Sequence, residues 1–463
     1  MATSQGGYVD GGFDLLKAPD APTITSVTNG IGTMSVAFTA PANPGGSAVT
    51  GYTVTAVNES TGASVGATGS ASPINVSTGG GGTFKVRSAA ANIYGPGRVS
   101  AFNTGNVVFS GAELETWGLN TSGQLGDGTT ANRSSPVQVG ALTNWAQVSA
   151  GNTFSAAVKT DGTMWTWGSN SGGALGDGTT INRSSPVQVG ALTNWYQVAA
   201  GNNFTASVKT DGTMWTWGSN SEGALGDGTT INRSSPVQVG ALTNWAQVAA
   251  GRYHTASVKK DGTLWAWGLN STGHLGDGTV ISRSSPVQIG ALTNWAQVEA
   301  GGNGTTAAVK KDGTLWTWGN NSFGQLGQNN TINRSSPVQV GALTNWAQVT
   351  VSNLHSVSVK TDGTLWSWGY NGRGQLGDGT VISRSSPVQV GALTNWSQVS
   401  AGDYFTASVK TNGTLWTWGR NQFGQLGQNN VIYRSSPVQV GALTSWYQTS
   451  AGSSHTAALY GVT

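Results

Sequence analysis

The chain has no cysteine among its 463 residues, so it can form neither a disulfide framework nor a thiolate metal site, and it offers no cysteine nucleophile. Charged residues are also scarce, at 9% of the chain against about 25% in an average soluble domain. The net charge of +3 is too small to indicate nucleic acid as a partner. No run of 18 apolar residues occurs, so the sequence predicts no membrane span.

The first 17 residues contain no apolar core of signal-peptide length. They are rich in glycine, and their sizeable apolar side chains are Tyr8, Phe13, Leu15 and Leu16. Two interpretations stay open for residues 1–17: a loose tail, and an N-terminal arm that docks on a virion scaffold protein. A polar, cysteine-free, β-rich chain without a signal peptide fits a virion, and the alternatives are a cytoplasmic or an extracellular location.

Tryptophan and glycine are abundant, with 20 and 70 residues. A Trp-Gly pair recurs every 50 or 51 residues, at Trp117, Trp167, Trp217, Trp267, Trp318, Trp368 and Trp418. Such a period is typical of a propeller or another repeat array. Each repeat reads as four strands, for example N-W-A-Q-V-A-A, H-T-A-S-V-K, T-L-W-A-W-G and S-P-V-Q-V. An Asp-Gly hairpin turn joins the second strand to the third.

The two ends of the array complement each other. The array begins with a third strand, E-L-E-T-W-G at 113–118, and ends after a second strand, H-T-A-A-L-Y at 455–460. Together these pieces complete one blade. The sequence therefore predicts an all-β chain with a seven-bladed propeller over residues 108–463, closed by both termini. A solenoid is the alternative, but it would need polar capping repeats that neither end provides.

Residues 18–104 contain short alternating strands separated by turns, which favour an antiparallel sandwich. The segments A-F-T-A-P, G-G-S-A-V-T-G-Y-T-V and A-A-N-I-Y-G-P-G-R-V-S resemble a fibronectin type III domain. Two positions depart from that family: Phe38 stands where it has tryptophan, and Phe84 where it has the corner tyrosine. The resemblance implies a spacer or an adhesive module without the corner hydrogen bond.

The repeat motifs A-G-x-x-H-T, D-G-T-L-W-x-W-G and N-x-x-G-Q-L-G resemble the regulator of chromosome condensation family. The resemblance covers residues 108–463 and implies a propeller. It does not imply one function. Members include an exchange factor for the GTPase Ran, a secreted β-lactamase inhibitor, and many uncharacterised bacterial and phage proteins.

No catalytic constellation stands out in the repeats. His254, His355 and His455 share a position that phenylalanine fills elsewhere, which indicates a packing role, and His274 is expected to be exposed. The aspartates of L-G-D-G-T suit turns better than a calcium site, which needs several oxygen ligands at close spacing. We therefore expect no enzyme activity, no metal and no cofactor.

An arginine recurs in the R-S-S-P motif of every repeat, at Arg133, Arg183, Arg233, Arg283, Arg334, Arg384 and Arg434. Such a ring could bind an anion or a nucleic-acid backbone. The better interpretation is that each arginine caps carbonyls or pairs with a nearby aspartate in its own blade.

Variation between the repeats is concentrated on one rim, and the turns of the other rim are nearly identical in every repeat. The loops after the first and third strands emerge together and differ between repeats, and we call this the variable rim. The K-T-D-G and G-A-L-T-N turns form the uniform rim. The variable rim carries residue types enriched in binding hot spots. The predicted binding residues are Arg252, Tyr253, Phe323, Tyr370, Arg373, Tyr404, Arg420 and Phe423.

These features predict a non-enzymatic structural and recognition protein. The first setting is a phage virion component, as a fibre, tail or head-surface protein, whose variable rim contacts a host-surface glycan or protein. One alternative is a regulatory protein that binds a GTPase or an enzyme. Another is a bacterial surface or secreted adhesin. Neutral drift of tolerant loops could also produce the variation.

We expect no nucleotide exchange activity. The Ran-acting members of the family use an inserted β-wedge, whereas these repeats are uninterrupted apart from one extra residue near Gly302–Thr305. Release of labelled GDP from Ran should therefore proceed at its spontaneous rate when the protein is added. Accelerated release would contradict this expectation.

Overall fold

Strands account for all regular secondary structure in the residues that the computed structural model describes. These are residues 18–30, 33–58, 64–77, 82–100, 103–107 and 112–461. The chain divides into two compact units, Met1–Ser110 and Gly111–Thr463. The predicted arm, residues 1–17, lies outside the described residues. The predicted all-β class is confirmed.

The first unit contains two antiparallel sheets. One has the strand order β1-β2-β5, and the other has the order β4-β3-β6-β7 with β8 also paired to β6. Their bounds are β1 (Thr23–Gly30), β2 (Thr33–Thr39), β3 (Gly51–Asn58), β4 (Ser64–Gly69), β5 (Ile74–Ser77), β6 (Gly82–Asn92), β7 (Gly95–Val99) and β8 (Asn103–Val107).

Alternate residues of both sheets supply one apolar core. It comprises Met34, Val36, Phe38, Val54, Ala56, Ile74, Val76 and Val86. The Phe38 ring lies 4.7 Å from that of Tyr52, which packs against this core. Because β8 pairs with β6, this unit extends beyond residue 104, where the sequence placed its end.

The second unit repeats one four-stranded antiparallel sheet. Its described residues contain seven such sheets, which we number in chain order. Sheet 1 has β11 (Trp145–Ala150), β12 (Phe154–Lys159), β13 (Met164–Gly168) and β14 (Arg183–Gln188). Sheet 2 has β15 (Trp195–Ala200), β16 (Phe204–Lys209), β17 (Met214–Gly218) and β18 (Arg233–Gln238). Sheet 3 has β19 (Trp245–Ala250), β20 (His254–Lys259), β21 (Leu264–Gly268) and β22 (Arg283–Gln288).

The remaining sheets follow the same order. Sheet 4 has β23 (Trp295–Ala300), β24 (Thr305–Lys310), β25 (Leu315–Gly319) and β26 (Arg334–Gln339). Sheet 5 has β27 (Trp346–Val351), β28 (His355–Lys360), β29 (Leu365–Gly369) and β30 (Arg384–Gln389). Sheet 6 has β31 (Trp396–Ala401), β32 (Phe405–Lys410), β33 (Leu415–Gly419) and β34 (Arg434–Gln439). Sheet 7 has β35 (Trp446–Ala451), β36 (His455–Gly461), β9 (Ala112–Gly118) and β10 (Arg133–Gln138).

The apolar core of this unit lies between neighbouring sheets. Trp195 and Trp217 of sheet 2, for example, are buried against Val158 and Met164 of sheet 1. The two tryptophan rings meet 5.7 Å apart at a steep angle, an arrangement that favours aromatic pairs. Each sheet is thus covered on both faces, which explains why the adjacent residues Met214 and Trp215 are both apolar and pack in two different core clusters. Stacked four-stranded sheets of this kind form a β-propeller.

Sheet 7 joins the two ends of the second unit, as the sequence predicts. Strand β36 pairs with β9 from His455↔Gly118 to Gly461↔Ala112. The buried Leu114 and Trp117 therefore depend on the last strand for cover.

Glutamines of the inner strands connect adjacent sheets. The Gln147 side chain donates to the Val198 carbonyl (3.1 Å) and accepts from the Val198 N–H (2.8 Å). The same pair of bonds recurs around the array and ends where Gln448 of sheet 7 bonds to Val148 of sheet 1. The inner strands enclose a polar cavity of about 430 Å³.

Deleting residues 453–463 should lower the melting temperature by more than about 10 °C, because it uncovers core side chains that each contribute about 1.5–3 kcal/mol. Thermal unfolding followed by circular dichroism measures this, with deletion of residues 1–17 as the control. An unchanged melt would show that the last strand does not close the ring.

Candidate recognition face

Hydrogen bonds hold the two variable loops of each repeat together. The Tyr370 N–H donates to the Leu354 carbonyl (2.9 Å), and the Arg420 N–H donates to the Tyr404 carbonyl (2.9 Å). At the opposite end, the Trp195 N–H donates to Gly162 of the hairpin turn (3.0 Å). The structure therefore places the variable loops on one rim and the uniform turns on the other.

A buried asparagine gives each long variable loop a fixed frame. In sheet 5 the Asn371 Oδ1 accepts from the Leu376 N–H (3.0 Å), while its Nδ2 donates to Asp378 (3.1 Å) and the Thr380 carbonyl (3.1 Å). Gly374 has φ +78°, and a Cβ there would lie 2.6 Å from Ser435 of the next sheet. The exposed variable side chains thus project from a backbone that the shared residues hold in place.

Five of the predicted binding residues form a continuous row, which we call the aromatic ladder. The rings of Phe323 and Tyr370 lie 5.2 Å apart, and those of Tyr370 and Tyr404 lie 6.3 Å apart. The Arg420 guanidinium then lies 5.4 Å from the Tyr404 ring and 5.6 Å from the Phe423 ring. The ladder spans sheets 4, 5 and 6, and Phe323 is 39% exposed.

A glycine accommodates the central ring of the ladder. A Cβ at Gly372 would lie 2.1 Å from the Tyr370 hydroxyl, so the tyrosine occupies space that a side chain would take. Five of the six other repeats have serine or threonine at this position, and the last has Gln422. Tyr370 and Gly372 thus fit each other within one loop.

The three other predicted residues form two separate pairs. Arg373 lies 5.8 Å from the ring of Tyr433, which is 38% exposed. Arg252 lies 5.1 Å from the ring of Tyr253, in sheet 3. Tyr433 was not among the residues predicted from the sequence, although it replaces the Asn or Ser that precedes R-S-S-P in the other repeats.

The mouth of the central cavity adds a carboxylate that is not among the residues predicted from the sequence. Asp403 accepts a hydrogen bond from Ser453 and directly precedes Tyr404 of the ladder. Burial raises the pKa of Asp403, and the nearby Arg252 and Arg420 act in the opposite direction. Arg252 and Asp403 both line the cavity, so charged groups of opposite sign face its mouth.

The histidines are packing residues. His254, His355 and His455 are buried, and each Nε2 forms a hydrogen bond of 2.9–3.0 Å with a hydroxyl of the next sheet. The expectation that His274 is exposed was wrong, because only 2% of it is accessible. Its ring packs 4.7 Å from His254, and a Cβ at the inserted Gly304 would lie 2.8 Å from its Nδ1.

Most of the recurring arginines pair as predicted. Arg133, Arg183, Arg233, Arg283 and Arg384 form ion pairs of 2.7–3.0 Å with an aspartate of their own loop. For Asp127, hydrogen bonds from Thr129 and Arg133 outweigh burial and hold the pKa below its ordinary value. For Arg334 and Arg434 the prediction was wrong, since neither guanidinium has a hydrogen bond or an ion pair among the described residues.

The described residues contain neither a candidate metal-binding cluster nor a candidate membrane-spanning helix. No group of three or more histidine, aspartate or glutamate side chains could hold a metal ion there. In that part of the chain no helix is long and apolar enough to cross a membrane.

Burial lowers the pKa of His455 to about 4, below the value of about 6.5 in an unfolded chain. Between these values the unfolded chain binds the extra proton, so the free energy of unfolding should fall as the pH drops from 6.5 to 4. The substitution His455→Phe should reduce this loss by roughly 3 kcal/mol. Phenylalanine fills the equivalent position at Phe154, Phe204 and Phe405.

Urea unfolding at pH 7 and at pH 4 measures the difference. Because the Ser155 hydroxyl also donates to the Gln124 carbonyl (2.9 Å), it keeps a hydrogen bond in the variant. Equal pH dependence in the wild-type and variant proteins would contradict the assignment.

Sequence and structure comparisons agree with this architecture. Residues 99–396 match the RCC1-like domain, and residues 396–425 and 412–459 match the regulator of chromosome condensation (RCC1) repeat. No curated protein matches the chain in sequence. Among solved structures, Prp20p from Saccharomyces cerevisiae is similar, with a TM-score of 0.67 and 20% identity over 76% of this chain and 91% of its own.

Human WBSCR16 is similar as well, with a TM-score of 0.68 and 20% identity over 75% of this chain and 98% of its own. At these identities the likeness establishes the fold alone. The family match, by contrast, covers well over half of the chain. The chain therefore belongs to the RCC1-like domain family and has the β-propeller of that family.

Proposed function

We propose that the chain is a non-enzymatic recognition protein that binds a protein partner through its variable rim. The observation that carries this proposal is the aromatic ladder, a continuous row of side-chain contacts from Phe323 to Phe423. Its members come from three consecutive sheets, so the row exists only in the folded ring. Tyrosine and arginine are the residues that dominate binding energy at protein interfaces.

The geometry of the ladder favours a protein partner over a glycan. A sugar stacks on an open aromatic face. Here the rings of Phe323 and Tyr370 meet at 68° and those of Tyr370 and Tyr404 at 79°, so ring edges point at neighbouring ring faces. The ladder therefore offers ring edges and a guanidinium, which suit the pockets and carbonyls of a protein surface.

The comparisons favour the regulatory alternative. Prp20p is described as binding Gsp1p and histones, so a protein of this fold acts through protein partners. On this basis we favour a regulatory protein that binds a GTPase or an enzyme over the virion component predicted first. The virion location, the arm on a scaffold protein and the host-surface ligand stay predictions.

The architecture behind this face has two inferred parts. We infer that the seven described sheets are the complete set of blades, since sheet 7 bonds to sheet 1 through Gln448. We also infer that the first unit is a fibronectin type III-like spacer, because its two antiparallel sheets share one core. Within this proposal the domains are residues 18–107 and 108–463.

Replacing Tyr370 and Phe423 by alanine should abolish partner capture. Truncating one interface anchor commonly costs about 2 kcal/mol, roughly thirtyfold in affinity. The measurement is affinity capture from extracts of the native source, with bound proteins quantified by mass spectrometry. The wild-type protein should enrich one partner that the double variant loses.

The control is Leu242→Ala with Leu292→Ala, which removes exposed apolar side chains from the uniform rim. Its capture should equal that of the wild-type protein, and thermal melts should show that all three proteins are folded. Equal capture by both double variants would show that the ladder is not the recognition face.

A further inference from the structure

The repeats provide an internal comparison at the recurring arginine. In five repeats the loop reads L-G-D-G-T, and the aspartate holds the arginine through Nε and Nη2 at the same oxygen. In sheet 7 these distances are 2.8 Å and 2.7 Å, from Arg133 to the Asp127 Oδ2. The loop therefore positions the guanidinium to bind one carboxylate.

Two repeats lack that carboxylate but retain the arginine. Their loops read L-G-Q-N-N, and the Gln328 side chain turns inward to donate to the Val338 and Gln339 carbonyls (both 3.2 Å). Gln428 donates likewise to the Gln439 carbonyl (3.0 Å). The Nε atoms of Arg334 and Arg434 are buried and have no partner among the described residues.

A buried guanidinium N–H without a partner is energetically unfavourable, and both arginine side chains are partly exposed, so an anion can reach their remaining N–H groups. We infer that Arg334 and Arg434 bind carboxylates supplied by the partner, so that the surface recognised by the variable rim is an acidic polypeptide. This inference rests on the proposed function. A carboxylate is favoured over a phosphate because a carboxylate fills the same fork in the five other repeats.

The position of these arginines ties them to the aromatic ladder. Phe323 and Arg334 belong to one loop and its following strand, and Phe423 and Arg434 repeat that arrangement two sheets further on. Among the seven repeats, the two with phenylalanine at this ladder position are also the two with L-G-Q-N-N. The partner would therefore present apolar groups to the phenylalanines and an acidic group beside each.

The neighbouring charges agree with an acidic partner. Arg373 and Arg420 lie on the same rim, beside Tyr433 and Tyr404. The carboxylate of Asp403 is already engaged by Ser453. Guanidinium groups thus outnumber carboxylates around the ladder, which favours approach of a negatively charged surface.

The test uses the full chain and immobilised poly-L-glutamate as the probe, with poly-L-glutamine as the blank. Wild-type protein should bind poly-L-glutamate in biolayer interferometry at low salt. Arg334→Gln with Arg434→Gln should weaken binding about tenfold or more. The charge-matched control is Lys260→Gln with Lys311→Gln on the uniform rim, where both lysines are exposed, and its affinity should change less than about twofold.

A second variant keeps both arginines and supplies the missing carboxylates. Gln328→Asp, Asn329→Gly and Asn330→Thr, with Gln428→Asp, Asn429→Gly and Asn430→Thr, rebuild the L-G-D-G-T loop in both repeats. This variant should melt at a higher temperature and should lose poly-L-glutamate binding as the arginine variant does. Its stability excludes unfolding as the cause of the loss.

Three results would overturn the inference: no binding by the wild-type protein, equal weakening in the lysine control, or tighter binding to homopolymeric RNA than to poly-L-glutamate. The ladder variant Tyr370→Ala with Phe423→Ala should retain poly-L-glutamate binding, because its arginines are intact. Partner capture tests the ladder and poly-L-glutamate tests the arginines, so failure of this inference is distinguishable from failure of the proposed function.

Discussion

The glutamine bridges between inner strands are the interaction on which the rest of the propeller depends. Each inner strand is an edge strand with free peptide groups facing its neighbour, and such edges invite pairing with other chains. In the Gln147 bridge a side-chain amide replaces a neighbouring strand, because its Oε1 and Nε2 satisfy the N–H and carbonyl of Val198. Since the last bridge runs from Gln448 to Val148, the inner strands form a closed set and none of them has a free edge.

A closed ring places every loop in a defined position relative to the others. The tryptophans reinforce this between sheets, as where the Trp418 Nε1 donates to the Gln375 carbonyl of the preceding sheet (2.9 Å). Loops that are far apart in sequence, such as those of Phe323 and Tyr370, therefore meet with little freedom. A surface preorganised in this way loses less conformational entropy on binding. Variation at a few positions can then change specificity without disturbing the ring.

The sequence predicted the ring well because the same strand and turn pattern recurs in every repeat. The strand order and the shared blade follow from the Trp-Gly period and the two partial repeats. Features produced by a single repeat were harder to predict. The burial of His274 depends on the inserted Gly304, and the Arg373–Tyr433 pair joins two sheets. Such contacts depend on distances across the rim, which periodicity alone does not supply.

The recurring arginine shows how comparison between repeats identifies an unusual site. In a fold without repeats, one arginine without a partner would be unremarkable, because no equivalent residue exists with which to compare it. Here five repeats define how the guanidinium is normally satisfied, and Arg334 and Arg434 depart from that state together with Asn329 and Asn429, which have φ of 56° and 55° where the other loops have glycine. A non-glycine residue in the left-handed region is strained unless its surroundings fix it. Both repeats hold the same left-handed asparagine, the same inward glutamine and the same phenylalanine, so the departure is one coordinated change in the loop.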